Sequence, residues 1–142
     1  MKRYSLFTVL LAILAAAGSV SATTGSAGEL QAIEQAVTYY LEGGKTGKVE
    51  LLEKAFHETA EIECLQDGEL VSWDLPTFLG FFDPARPSDH VHRILSVDFA
   101  GNAAAVKAEW DFGSWKYIDY LSLLKVGGEW KIVHKIFYRT RP

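Results

Sequence analysis

The sequence predicts an α+β fold in which N-terminal helices pack on one face of a curved antiparallel sheet. Three observations predict it. Apolar residues recur at helical spacing from Leu30 to Phe56, and from Thr59 the period changes to two. Three two-residue connections, Gly101-Asn102, Gly113-Ser114 and Gly127-Gly128, then separate four strand-like runs as hairpin turns do. A chain of 142 residues, 49% hydrophobic and 23% charged, is sized for one domain and too apolar to stay disordered.

The first segment reads as an export signal. Lys2 and Arg3 precede an apolar run from Tyr4 to Ala17, followed by Gly18, Ser19, Val20, Ser21 and Ala22. The run is short for a membrane span and ends in small residues without a basic stop. Cleavage after Ala22 fits the small pair Val20 and Ala22, and Ala15 and Ala17 allow an earlier cut. Residues 1–22 are the expected signal peptide and residues 23–142 the mature domain, released to the periplasm or outside the cell. Cys64 is the one cysteine, so neither a lipid anchor at the cleavage site nor an internal disulfide is expected. Loss of Lys2 and Arg3 makes the net charge of −4 two units more negative. A net acid without a basic run lacks the electrostatic footprint for nucleic acid or anionic lipid.

Ser26 and Glu29 form a capping-box pattern ahead of Leu30, Ile33, Val37, Tyr40 and Leu41, and Gly43-Gly44 is the expected stop of this first helix. Thr46 opens a second, through Val49, Leu52, Ala55 and Phe56. From Thr59, Ala60, Ile62 and Cys64 alternate with Glu61 and Glu63, and Asp67-Gly68 turns a hairpin into Leu70 and Val71. Asp74 and Pro76 start a short helix through Phe82, and residues 83–88 form a proline-containing loop. Four strands follow over His90–Phe99, Ala103–Phe112, Lys116–Val126 and Glu129–Tyr138.

Uninterrupted two-residue turns set the register. Lys125 then faces Trp130, Leu123 faces Ile132, Leu121 faces His134 and Asp119 faces Ile136. Lys131 and Lys135 mark the outer face of the last strand, so Trp130, Ile132, His134, Ile136 and Tyr138 point inward. The inner layers become Arg93, Trp110, Tyr117 and Tyr138; Leu95, Ala108, Asp119 and Ile136; and Val97, Val106, Leu121 and His134.

This register makes Asp119 and His134 diagonal neighbours, a carboxylate base beside an imidazole that orients it or stabilises an oxyanion. Aromatic walls are expected from Trp110, Tyr117, Trp130 and Tyr138, with Arg93, Tyr40 from the first helix and His57 after the second completing the binding set. The bland alternative is a buried polar cluster that only fixes the core. His90 and His92 fall on the outer face with Asp111 opposite His92, a solvated pair and not a metal site. Cys64 reads as a small buried hydrophobe. No phosphate loop, dinucleotide glycine motif or serine elbow is present, and no cofactor is expected.

The closing run Asp119-Tyr120-Leu121-x-Leu123-Leu124-Lys125-x-x-Gly128-x-Trp130-Lys131-Ile132-Val133-x-Lys135-x-Phe137, with Phe56-His57-Glu58-x-Ala60 after the second helix, resembles the putative lumazine-binding family of the nuclear transport factor 2-like superfamily. The resemblance implies a cone-shaped α+β barrel with an internal pocket, commonly dimeric through the outer sheet face, where Val133 and Phe137 are expected. The superfamily mixes isomerases, cyclases and dehydratases with inert binding domains, so fold alone does not name the chemistry. Three functions stay open: an exported domain that binds a small apolar or aromatic molecule; an isomerase, dehydratase or cyclase using Asp119 as base; and a dimeric interaction domain with a filled pocket.

Overall fold

The computed structural model describes residues 21–141. The expected signal peptide thus lies outside the described residues except for Ser21 and Ala22, which begin the first helix. The elements are α1 (Ser21–Thr46), α2 (Val49–Ala55), β1 (Phe56–Gln66), β2 (Glu69–Asp74), α3 (Leu75–Leu79), β3 (Val91–Ala100), β4 (Ala103–Asp111), β5 (Lys116–Val126) and β6 (Glu129–Arg139). The strands make one curved, unclosed sheet in the order β2-β1-β6-β5-β4-β3. The chain crosses by way of α3 to the far edge and returns as an antiparallel meander, which lays β6 beside β1. That one pairing is parallel, so the sheet is mixed where an antiparallel one was expected.

α1 presents Ile33, Ala36, Val37, Tyr40 and Leu41 to the sheet, all at most 5% exposed. Two expectations for this helix are corrected. It begins ahead of Ser26, and Glu29 does not cap it. The Glu29 carboxylate instead accepts hydrogen bonds from Lys125 Nζ and Trp130 Nε1, tying the helix to the β5–β6 hairpin. Nor does Gly43-Gly44 stop it. A Cβ on Gly44 would sit 2.0 Å from Trp110 Cη2, so this glycine serves the close approach of an indole to the helix backbone. The helix ends at Thr46, where Gly47 with φ +70° takes the left-handed position that follows a helix C-terminus.

The register shifts at three places, one in the β1–β6 pairing between Phe56 and Glu61 and two in the meander. Leu123 pairs with Ile132 as expected, but Ser122 pairs with His134, which leaves Val133 as an extra residue in β6. Beyond it Leu121 faces Lys135, and Asp119 faces Phe137. In the same way Ile94 pairs with Ala108 and Ser96 with Lys107, leaving Leu95 extra in β3. One unpaired residue turns every later side chain to the opposite face. Lys135 is therefore inside and 3% exposed, whereas Ile136 and Tyr138 are 46% and 63% exposed. The expected opposition of Ala108 to Asp119 and Trp110 to Tyr117 is present, because no bulge separates β4 from β5.

The β3 bulge also brings the histidine pair in from the expected outer face. His92, not Arg93, pairs with Trp110, and Asp111 pairs with Val91. His90 is 1% exposed and stacks on Trp110, with ring centroids 4.4 Å apart and planes within 8°. His92 Nε2 lies 3.2 Å from the Glu42 carboxylate. Burial, reinforced by His92 and Lys45 and opposed by Glu42, lowers the His90 pKa to about 4.

Two outcomes follow from this packing. Gly44→Ala is expected to cost about 1–3 kcal/mol in urea unfolding, although alanine is the better helix former by about 1 kcal/mol; an unchanged midpoint would mean that the indole moves aside freely. His90 stays neutral in the fold down to about pH 4 while the unfolded chain protonates it near 6.5. Its contribution is complete above pH 6.5 and is lost as the pH falls from there towards 4. His90→Phe, which keeps the stack, should flatten the stability curve across that window; an unaltered slope would assign it to other groups.

Candidate functional site

Three elements converge on one buried polar group. Tyr40 comes from α1, Asp119 from β5 and Lys135 from β6, and none is more than 3% exposed. The Tyr40 hydroxyl donates to Asp119 Oδ2 at 2.6 Å, and Lys135 Nζ donates to Asp119 Oδ1 at 2.6 Å. Both carboxylate oxygens thus have a donor, and the ammonium has its counter-charge. Phe137 covers the ammonium, with its ring centroid 4.1 Å from Nζ.

This group lies against a half-open cavity of about 1090 Å³ lined by Tyr40, Lys135 and Cys64 at its polar end. Aromatic side chains make the walls. Trp73 stacks on Phe137 at 6.3 Å and meets the edge of Phe81 at 5.7 Å, and Tyr117 stands edge-on to Phe137 at 5.3 Å. Phe78, Phe82 and Trp110 continue the lining, and Asp67, Arg139 and Arg141 border it with polar groups. Asp74 positions the short α3 that carries Phe78, its Oδ1 accepting from the Thr77 amide at 3.0 Å with Pro76 in the first turn.

Burial dominates the electrostatics. It lowers the Lys135 pKa against the opposing pull of Asp119. It raises that of Tyr40 well above the usual phenol value, with the Asp119 charge adding to the effect. The Cys64 thiol is also pushed up by burial, partly offset by Lys135. At neutral pH the thiol and phenol therefore keep their protons, and burial works against the charged form of the lysine.

The expected site residues divide accordingly. Tyr40, Trp110 and Tyr117 line the cavity, and Asp119 sits at its polar end but is fully buried and forms no part of the lining. His134 does not meet Asp119. The Val133 bulge turns it outward, where Nε2 lies 2.9 Å from Glu63 Oε2. Arg93 is outside too, paired with Glu109 at 2.8 Å. Tyr138 is largely exposed and only borders the cavity. Trp130 is buried in the core, its indole held by Glu29, and His57 opens β1 with its ring on Thr59; neither lines the cavity. The reading missed the wall residues Trp73, Phe78, Phe81 and Phe82, and it missed Lys135 and Phe137, assigned by strict alternation to the outer face. A signal for the last two was present: Lys131 and His134 both suit solvent, and their odd spacing requires one extra residue between them.

A curved sheet laid over one long helix, with a pocket between them, is the architecture of the nuclear transport factor 2-like superfamily. Residues 28–138 match the family described as Putative lumazine-binding, and the chain belongs to it. It is 28% identical to a protein of this superfamily from Shewanella baltica, with a TM-score of 0.75 over 82% of this chain and 97% of that one. A second such structure, from Silicibacter pomeroyi, has 24% identity and a TM-score of 0.71 over 81% and 98% of the two chains, and bears on fold alone. Among curated proteins it is 26% identical to aldolase FrzH from Cladobotryum sp, over 78% of this chain and 90% of that protein.

Removing one member of a buried ion pair strands the other charge, at a cost of about 3–5 kcal/mol. Asp119→Leu and Lys135→Met are each expected to lose about that much in chemical denaturation. The double variant should recover most of it, less about 1–3 kcal/mol for the orphaned Tyr40 hydroxyl. Strictly additive losses would show that the two charges are uncoupled.

Proposed function

We propose that this protein binds a flat, mostly apolar small molecule in the cavity, with the Lys135 ammonium meeting a carbonyl or other acceptor on the ligand. The observation that carries this reading is a buried charged donor, Lys135, set into an aromatic enclosure. Trp73, Phe81 and Tyr117 offer faces and edges for a ring, while Lys135 supplies directional recognition where water is scarce. The family's description supports a heteroaromatic ligand of the lumazine kind. The size of the cavity argues against a pocket filled by its own side chains.

The curated aldolase relative favours a second reading within the same pocket, chemistry at a carbonyl group. The polar end of the cavity suits it. Asp119 as a base touching substrate does not, because both its oxygens are engaged and it has no exposed surface. Asp119 acts instead on Lys135, as a positioning residue. The leader pattern of residues 1–22 supports export, and self-association through the outer face is supported by exposed Tyr120, Leu124 and Ile136 there. Phe137 has no part in that face, since it points into the cavity.

The test is titration with lumazine while tryptophan emission is followed, since Trp73 and Trp110 border the cavity. Saturable quenching is expected, and Lys135→Met should weaken it by roughly 10- to 100-fold, the worth of a charge-assisted hydrogen bond. Equal affinity in the variant would remove Lys135 as the anchor, and unsaturable quenching would count against a flat-ring ligand.

A further inference from the structure

We infer that Lys135 is a covalent-catalysis lysine whose ε-amine condenses with an aldehyde or ketone held in the cavity to form an imine. The inference rests on the pocket proposed above and adds a bond to it. Four observations carry it. Lys135 belongs to the cavity lining although its side chain is only 4% exposed, so a bound molecule meets this residue with little surrounding water. Asp119 lies behind it with an oxygen at 2.6 Å, a proton acceptor in hydrogen-bond contact that is not itself open to the ligand. Tyr40 holds the other oxygen at 2.6 Å and fixes the carboxylate against rotation. The ammonium and carboxylate sum to zero charge, so moving a proton between them discharges both groups and leaves no isolated ion in the apolar surroundings.

A lysine ammonium is not a nucleophile. Desolvation of the side chain is the usual way in which a protein frees its amine at neutral pH, and burial acts on Lys135 in that direction. The neighbouring thiol of Cys64 does not compete, since burial keeps it protonated.

In the reaction Asp119 takes one ammonium proton, and the amine lone pair forms a C–N bond to the carbonyl carbon as the C=O π pair moves to oxygen. Two of the three ammonium protons in total reach that oxygen, which leaves as water. The third stays on nitrogen, so a protonated imine replaces the ammonium beside Asp119 with the same charge. Nothing is oxidised or reduced, and no co-reactant is needed. The imine withdraws electrons from the adjacent carbon, which is what making or breaking a C–C bond next to a carbonyl requires. Hydrolysis returns the free lysine.

The experiment uses the whole domain with benzaldehyde and sodium cyanoborohydride near neutral pH, read by intact mass and peptide mapping. The expected result is one benzyl group on Lys135, added at least tenfold faster than at any other lysine and slowed by excess lumazine. Tyr40→Phe, which unlocks the carboxylate without removing a charge, should slow the labelling. Equal labelling of Lys135 and surface lysines in a protein that still binds lumazine overturns the imine and leaves the pocket standing. Loss of both selective labelling and saturable quenching overturns both.

Discussion

A single carboxylate, that of Asp119, organises this molecule. A charge at full burial is tolerated only when its oxygens are matched by donors, and the donors come from the two directions the fold can supply. Tyr40 reaches down from the helix, and Lys135 reaches across from the last strand. The first bond joins elements far apart in sequence and the second joins the two strands of one hairpin, so helix, β5 and β6 are held in one relative placement. The cavity is what lies beyond this fixed point.

The bulge at Val133 is the partner constraint. Without it Lys135 would stand in solvent beside Lys131, and His134 would lie diagonal to Asp119 on the inner face. With it the strand carries an apolar inner face up to Ile132 and a cationic one from Lys135, and the sheet bends over α1. The bulge at Leu95 does the same at the other edge, sending His90 inward to stack on Trp110 and Arg93 outward to Glu109. Gly44 then admits the indole of Trp110 against the helix. Site and core thus share their walls: Trp110 and Tyr40, 5.2 Å apart between ring centroids, belong to both.

The chemistry follows from where charge sits relative to the opening. A carboxylate exposed to the cavity would serve as a base for abstracting protons from a ligand. Here the carboxylate is sealed and Lys135 lines the cavity, so the charged group at the polar end of the pocket is a cation. The aromatic walls raise the value of each polar contact by excluding water. These features connect the binding and carbonyl-chemistry readings, since one lysine serves as anchor in the first and as nucleophile in the second.

The sequence by itself determined the element order, the turns and the inner placement of Asp119, Trp110 and Tyr117. Helical and two-residue periods are local, and Asp67-Gly68 and Gly127-Gly128 fix their hairpins through backbone freedom alone. The family resemblance was legible in the same closing strands. Only the tertiary structure decided which face of β6 and β3 is inside. Register depends on parity, and one extra residue inverts it for everything downstream, which is why His134, Arg93 and Tyr138 changed places with Lys135, His92 and Phe137. The odd spacing of Lys131 and His134 hinted at the slip. What confirms it is the pairing of a lysine with a buried carboxylate sixteen residues away, a match of charges that only the assembled sheet brings together.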